Sequence, residues 1–325
     1  MSIIRSLWWS VRTHGESPFD IAHLKVYYPA EVRGDDAERL TGVFDADGAG
    51  APYPVVLFVS GVNVGQEAYR RYATAIAESG FVVVTFDRVA ELFGGQVGLT
   101  PGVELAAARP GAYGNGPTCP AIGAILSALT ALNAEGPLAG ALDLSRVGLG
   151  GHSAGGTVAL QSARFFPGIK AVFAWGAHTM VATMLGWDPG TVLPAQVDCP
   201  VLLGVGTNDG VIMGSADRYG EDGANRPDPV TRTFREALPG DGHLLAIIEG
   251  ANHFGIAEAD PTAARAFLDG PADTDALAPF SRLTTLFLRA HLTGSPQARA
   301  ELSEFDVSAV DDRPPIDADV VLHHR

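Results

Sequence analysis

Six short runs along the chain are almost wholly apolar: Pro54–Ser60, Phe81–Asp87, Val147–Gly150, Lys170–Trp175, Pro200–Gly206 and His243–Glu249. Each is of strand length, and continuous apolarity is what a strand buried on both faces of a parallel sheet needs. The stretches between them favour helix. Glu67–Ser79 places Tyr69, Tyr72, Ala73 and Ile76 on one side and meets Gly80 as its stop. Ala121–Asn133, Thr157–Arg164 and residues 228–238 read likewise, and Leu277–Leu292 reads as a closing helix. An earlier run, His23–Pro29, alternates weakly and is β-rich, so an antiparallel strand near a sheet edge is expected there. Strands alternating with helices predict an α/β fold with a mainly parallel, doubly wound sheet flanked by helices. With no repeat and no dividing linker, residues 1–325 are expected to form one domain, with a core over about residues 20–292 and an acidic tail at 295–325. Residues 88–117, rich in Gly, Pro and Ala, read as a long loop over the mouth of the sheet.

Composition narrows the function classes. The chain is 46% apolar and 18% charged, with a formal net charge of −15. That charge argues against a nucleic-acid partner, because phosphate binding needs clustered Lys and Arg. No apolar run reaches the ~18–20 residues that span a bilayer. The N-terminus lacks the apolar core and small-residue cleavage site of a signal peptide, so a cytoplasmic location is expected. Two cysteines, Cys119 and Cys199, are too few for a disulfide framework and are expected as free thiols. The Leu7-Trp8-Trp9 cluster is expected to pack on the protein's own core. Oligomeric state is left open.

One stretch carries specific chemistry. Val147–Gly150 runs into Gly151-His152-Ser153-Ala154-Gly155, and a helical segment follows at once. This strand–turn–helix context is the one a G-x-S-x-G nucleophile elbow requires. Glycine two residues before and after the serine removes side chains where strand and helix approach most closely, and Ser153 Oγ is left standing clear.

A serine hydroxyl needs a base to take its proton and a third group to orient that base. In this topology the order along the chain is serine, acid, histidine, each after a strand. Asp209 follows Val201–Val205, and His253 follows the run ending at Glu249. Asp188 and Asp198 precede a strand instead and suit connecting or capping roles, and Asn208 and Asn252 suit turns. His152, beside the serine, is expected on the far side of the elbow. Oxyanion donors are expected from the N–H groups of Ala154 and Val62, worth roughly 3–4 kcal/mol each. Asn63, His152, Trp175 and His178 are candidate pocket residues. No metal-ligand spacing appears and no cofactor is implied.

The segments Pro54–Asn63, Ser79–Asp87, Gly151–Gly156, Pro200–Asp209 and Gly250–Phe254 resemble an α/β-hydrolase group. That group holds dienelactone-hydrolase-like proteins, chlorophyllases, platelet-activating-factor acetylhydrolases and cutinase-type polyester hydrolases. The resemblance spans about residues 20–292 and departs from the cutinase-type pattern at Ser60 and at the aliphatic Val62. It implies a cofactor-independent serine esterase and does not specify a substrate; the apolar Val62 and the mouth loop favour a small-molecule ester with a neutral, hydrophobic acyl group or alcohol. Acyl transfer, lactone opening or amide hydrolysis would use the same residues. A hydrolase-fold binding protein is the alternative from another class, and it would be marked by loss of Ser153, Asp209 or His253.

Overall fold

The computed structural model describes residues 2–92, 95–219, 228–258, 262–304 and 320–325. Parts of the expected mouth loop (93–94), of the segment after Asp209 (220–227) and of the acidic tail (305–319) lie outside the described residues. Among the described residues the architecture is mixed α/β: a ten-stranded, mostly parallel sheet flanked by helices, in the order β1 (Ser2–Arg12), β2 (Ile21–Glu31), β4 (Val82–Glu91), β3 (Tyr53–Val59), β6 (Leu142–His152), β7 (Ile169–Trp175), β8 (Val201–Gly206), β9 (Leu244–Ile248) and β10 (Val320–His324), with β5 (Val97–Leu99) paired to β4.

The apolar runs form the centre of this sheet. β3 (Tyr53–Val59) is buried at every position, as are β8 (Val201–Gly206) and the last six residues of β6 (Leu142–His152). β4 (Val82–Glu91), β3, β6, β7 (Ile169–Trp175), β8 and β9 (Leu244–Ile248) pair in parallel. After the short helix α1 (Asp36–Thr41), the helix expected over 67–79 begins with a 3₁₀ turn at Gln66–Tyr69 and continues as α2 (Arg70–Ala77). It buries Tyr69, Tyr72, Ala73 and Ile76, and the chain leaves it through Gly80 at φ +92°. α3 (Ala121–Leu132) and α7 (Leu277–Leu288) follow the expected pattern, whereas α4 (Ala154–Leu160) starts directly after Ser153 and stops four residues short of Arg164, where a 3₁₀ turn at Ala163–Phe165 follows. α7 ends in a π-turn at Arg289–Thr293, and the 228–238 helix divides into α6 (Pro229–Arg232) and a π-turn at Thr233–Ala237.

The run at 23–29 lies within β2 (Ile21–Glu31), which is antiparallel and second from the edge, as expected. The edge is β1 (Ser2–Arg12), in which Ile3, Leu7 and Val11 pack on the core. Trp8 and Trp9 do not: they are 58% and 47% exposed, because an edge strand offers its indoles only one neighbouring strand. Lys25 Nζ sits over the Trp8 ring at 5.1 Å. At the other end β10 (Val320–His324) pairs antiparallel with β9, so the terminal part of the polar tail is a strand. The stretch expected as a loop from residue 88 starts instead as a hairpin, in which β4 runs on to Glu91 and β5 (Val97–Leu99) folds back on it. No helix among the described residues is long and apolar enough to cross a membrane. Both cysteines are unpaired, and Cys119 Sγ donates to the Pro101 carbonyl at 3.0 Å.

Candidate functional site

The sheet reverses its direction of growth at its middle. β4 lies on one side of β3 and β6 on the other. The crevice outside the carboxyl ends of strands at such a reversal is where open α/β sheets take ligands. β3 opens there into Ser60–Gly65 and β6 into Ser153.

Ser153 has φ 54° and ψ −127°. A non-glycine residue in such a conformation costs on the order of 1–3 kcal/mol and persists only where its surroundings hold it. Its N–H donates to the Trp175 carbonyl at 2.9 Å, and its own carbonyl accepts from Thr157 N at 3.0 Å. A Cβ on Gly151 would lie 2.5 Å from the Gly155 oxygen, and one on Gly155 would lie 2.5 Å from the Ser60 oxygen and strike that of Val59. Neither position can carry a side chain without moving the turn off the sheet. Ala154 opens α4, so its N–H has no partner within the helix. The Gly61–Val64 turn closes with Val64 N donating to Gly61 O at 3.4 Å, and Asn63 takes φ 55°. Val62 accepts from Ala264 N at 3.1 Å through its carbonyl, while Asn63 N donates to Leu99 O at 3.0 Å. Neither Val62 N–H nor Ala154 N–H donates to an acceptor among the described residues. The Asn63 carboxamide packs onto Gly98 of β5.

Two strands further on, the loops after β8 and β9 are bonded together: Thr207 N donates to Ile248 O at 3.1 Å and Asn208 N to Ala251 O at 2.9 Å. They present Asp209 and His253, whose Oδ2 and Nδ1 are 2.8 Å apart with the side chains 1% and 2% exposed. The other Asp209 oxygen accepts from Ile212 N at 2.9 Å and caps α5 (Gly210–Met213), which fixes the carboxylate's rotation. Asn208 and Asn252 hold turns, through Asp273 at 3.0 Å and the Gly270 carbonyl at 2.8 Å. Among the described residues no hydrogen bond joins Ser153 Oγ to the imidazole. Contacts of this kind are often long without substrate and tighten in the complex.

His152 and Trp175 are fully buried, so neither lines an opening. Both act from behind, donating to the His253 carbonyl at 3.0 Å from His152 Nε2 and 2.8 Å from Trp175 Nε1. Burial, with His253 adding to it, holds the His152 imidazole well below its ordinary value. His178 is also buried, edge-on to Tyr219 at 4.7 Å, and its Nδ1 has no partner among the described residues. Burial pushes it down to about 4, with Asp209 opposing.

Three contributors were not visible in the sequence. Gly176 takes φ 54°, and a Cβ there would lie 2.8 Å from His253 Nδ1 and 3.0 Å from Asp209 Oδ2. Asp269 Oδ1 accepts from Gly210 N at 3.0 Å and His253 N at 3.3 Å, tying the two loops through one carboxylate. Burial lifts that carboxyl above its ordinary value. Tyr69 donates no visible signal beyond its place on the apolar face of its helix, yet its hydroxyl reaches His152 Nδ1 at 2.7 Å. A glycine directly after a strand is a usable clue for Gly176; Asp269 lies in a segment without periodicity and offers none.

No protein-family model matches the chain, and no curated protein matches it.

Proposed function

We propose that this protein is a serine hydrolase of the α/β-hydrolase fold that cleaves carboxylic esters through an acyl-enzyme. One observation carries the reading. A strained serine at a strand–helix turn faces the same end of the sheet as a sealed Asp209–His253 pair 2.8 Å apart, in the chain order serine, acid, histidine.

In the reaction, Ser153 Oγ attacks the ester carbonyl carbon as His253 Nε2 takes its proton. The carbonyl oxygen becomes an oxyanion, met by the N–H groups of Ala154 and Val62, both without other acceptors among the described residues. Collapse expels the alcohol, which takes the proton from His253, and leaves the acyl group on Ser153. Water then attacks, giving its proton to His253, and the acid leaves as Ser153 recovers its hydrogen. Asp209 accepts from Nδ1–H throughout, which keeps Nε2 free as the base and stabilises the imidazolium. No step calls for a cofactor. The aliphatic side chain of Val62 at the oxyanion turn favours a neutral, hydrophobic ester of small-molecule size.

The test is hydrolysis of p-nitrophenyl esters from acetyl to palmitoyl, with Ser153→Ala and His253→Ala beside the wild type and a fluorophosphonate probe for the serine. Turnover by the wild type, lost by about 10⁴-fold or more in both variants, is the expected result. A wild type inert across the series, with Ser153 unlabelled, overturns the reading.

A further inference from the structure

Behind the serine runs a buried polar chain that core packing does not require. Gly61 N donates to Tyr69 Oη at 3.1 Å, Tyr69 Oη meets His152 Nδ1 at 2.7 Å, and His152 Nε2 meets the His253 carbonyl at 3.0 Å. Its directions are fixed by elementary valence. A carbonyl only accepts, so His152 carries its proton on Nε2; the neutral ring then offers Nδ1 as an acceptor, and the tyrosine must donate to it. The tyrosine oxygen keeps lone pairs for Gly61 N–H. Every polar atom in the series is satisfied, and only one tautomer satisfies it. Tyr69 and His152 are both fully buried, packed among Phe58 at 4.9 Å and Phe254 at 5.8 Å. Phenylalanine at 69 would fill the same space without the cost of desolvating a hydroxyl.

The three anchor points are the residue before Val62, the residue before Ser153, and His253 itself. We infer that Tyr69 and His152 form a strut that sets the oxyanion turn, the serine turn and the histidine loop at fixed separations, and that both are positioning residues for the reaction proposed above. The inference rests on that reading for its kinetic consequence. Its geometric content, a pinned Nε2–H imidazole bridged to a tyrosine, stands apart from it. Loosening such a strut moves reacting groups without removing any of them, and misplacement of about 1 Å costs on the order of 10²-fold in rate.

The molecule contains its own control. Tyr72, three residues on, is 1% exposed and its hydroxyl bonds Thr284 Oγ1 at 2.7 Å; its ring shares Phe58 with Tyr69, but among the described residues its hydroxyl makes no hydrogen bond to the strut. The experiment compares Tyr69→Phe with Tyr72→Phe in the full chain, measuring kcat and KM on one p-nitrophenyl ester, fluorophosphonate labelling rate, Tm, and ¹⁵N-histidine spectra. Both variants should lose similar stability. Tyr69→Phe should lower kcat about 10–100-fold with KM within about 3-fold and slow labelling in parallel. Tyr72→Phe should stay within about 2-fold of wild type. In the spectra at about pH 7.5, the wild type should show an Nε2–H imidazole besides that of His243, whose Nε2 meets the Pro239 carbonyl at 2.8 Å while its Nδ1 accepts from Val201 N at 3.2 Å; Tyr69→Phe should shift the first alone, and Tyr72→Phe neither. Equal kinetic losses in the two variants, or none in Tyr69→Phe, overturn the positioning role. Were the wild type inert, the ester reading would fall, and the spectra alone would decide the strut: absence of an Nε2–H imidazole that moves on Tyr69→Phe sinks it.

Discussion

Asp209 Oδ2 and His253 Nδ1 lie 2.8 Å apart in a pocket that admits almost no solvent to either side chain. The same carboxylate caps α5 through its second oxygen, so one residue orients the imidazole and ends a loop. These two duties separate by substitution. Asp209→Asn keeps an oxygen for the cap but no charge for the imidazole, and is expected to lower kcat by about 10³–10⁴-fold with little change in Tm. Asp209→Ala should lose the same activity and about 1 kcal/mol of stability in addition. Thermal denaturation beside steady-state kinetics checks both, and an Asn variant retaining activity would remove Asp209 from its role.

Gly176→Ala introduces a methyl group within 3.0 Å of both members of that pair, at a φ of 54° that alanine resists. Activity should fall by at least about 10²-fold, and stability by on the order of 1–3 kcal/mol. Urea unfolding and ester turnover measure the two, and a variant matching wild type in both would contradict the geometry.

Asp269 ties His253 N to Gly210 N, and Asp269→Ala leaves both donors without their acceptor. A drop of about 10-fold in kcat is expected, with KM little changed, since the loops are displaced rather than dismantled. A KM effect with unchanged kcat would instead mark Asp269 as a binding residue.

His152 and His178 make stability depend on pH. Both imidazoles are held down chiefly by burial, His178 to about 4. Unfolded, they protonate near the ordinary value of about 6.5. Between these limits the unfolded state binds more protons, so stability is full above about pH 6.5 and is lost as pH falls towards about 4. The contribution of His178 over that window is on the order of 3 kcal/mol. Urea midpoints at about pH 7.5 and about pH 5 should show the loss. His178→Phe should flatten the slope, and equal midpoints for wild type would refute the assignment.

β10 covers the outer edge of β9, with Arg325 N and O both bonded to His243 and the Arg325 guanidinium on the Phe234 and Arg235 carbonyls. Deleting residues 320–325 would bare that edge, and an open edge templates association. Light scattering on heating should rise earlier than for the full chain, while Ser153 labelling at low temperature persists.

Hydrophobic patterning alone determined the central layer of this protein. A strand buried on both faces has no polar positions to spare, so β3, β4, β8 and β9 announce themselves, and glycine at 151 and 155 announces a turn with no room for a side chain. Chain order then brought Ser153, Asp209 and His253 forward as a set. The sheet's two ends stayed hidden, because edge strands such as β1 and β10 are half-exposed and their sequences carry no continuous apolar signal. The tyrosine hydroxyl behind the serine, the Gly176 contact and the Asp269 bridge were decided only in three dimensions. Each joins separate segments of the chain, up to 83 positions apart in the Tyr69–His152 pair, and a contact across that distance leaves no periodicity in the chain. Local physics chose the elements; the packing of one strand end against another chose which buried polar atoms would meet.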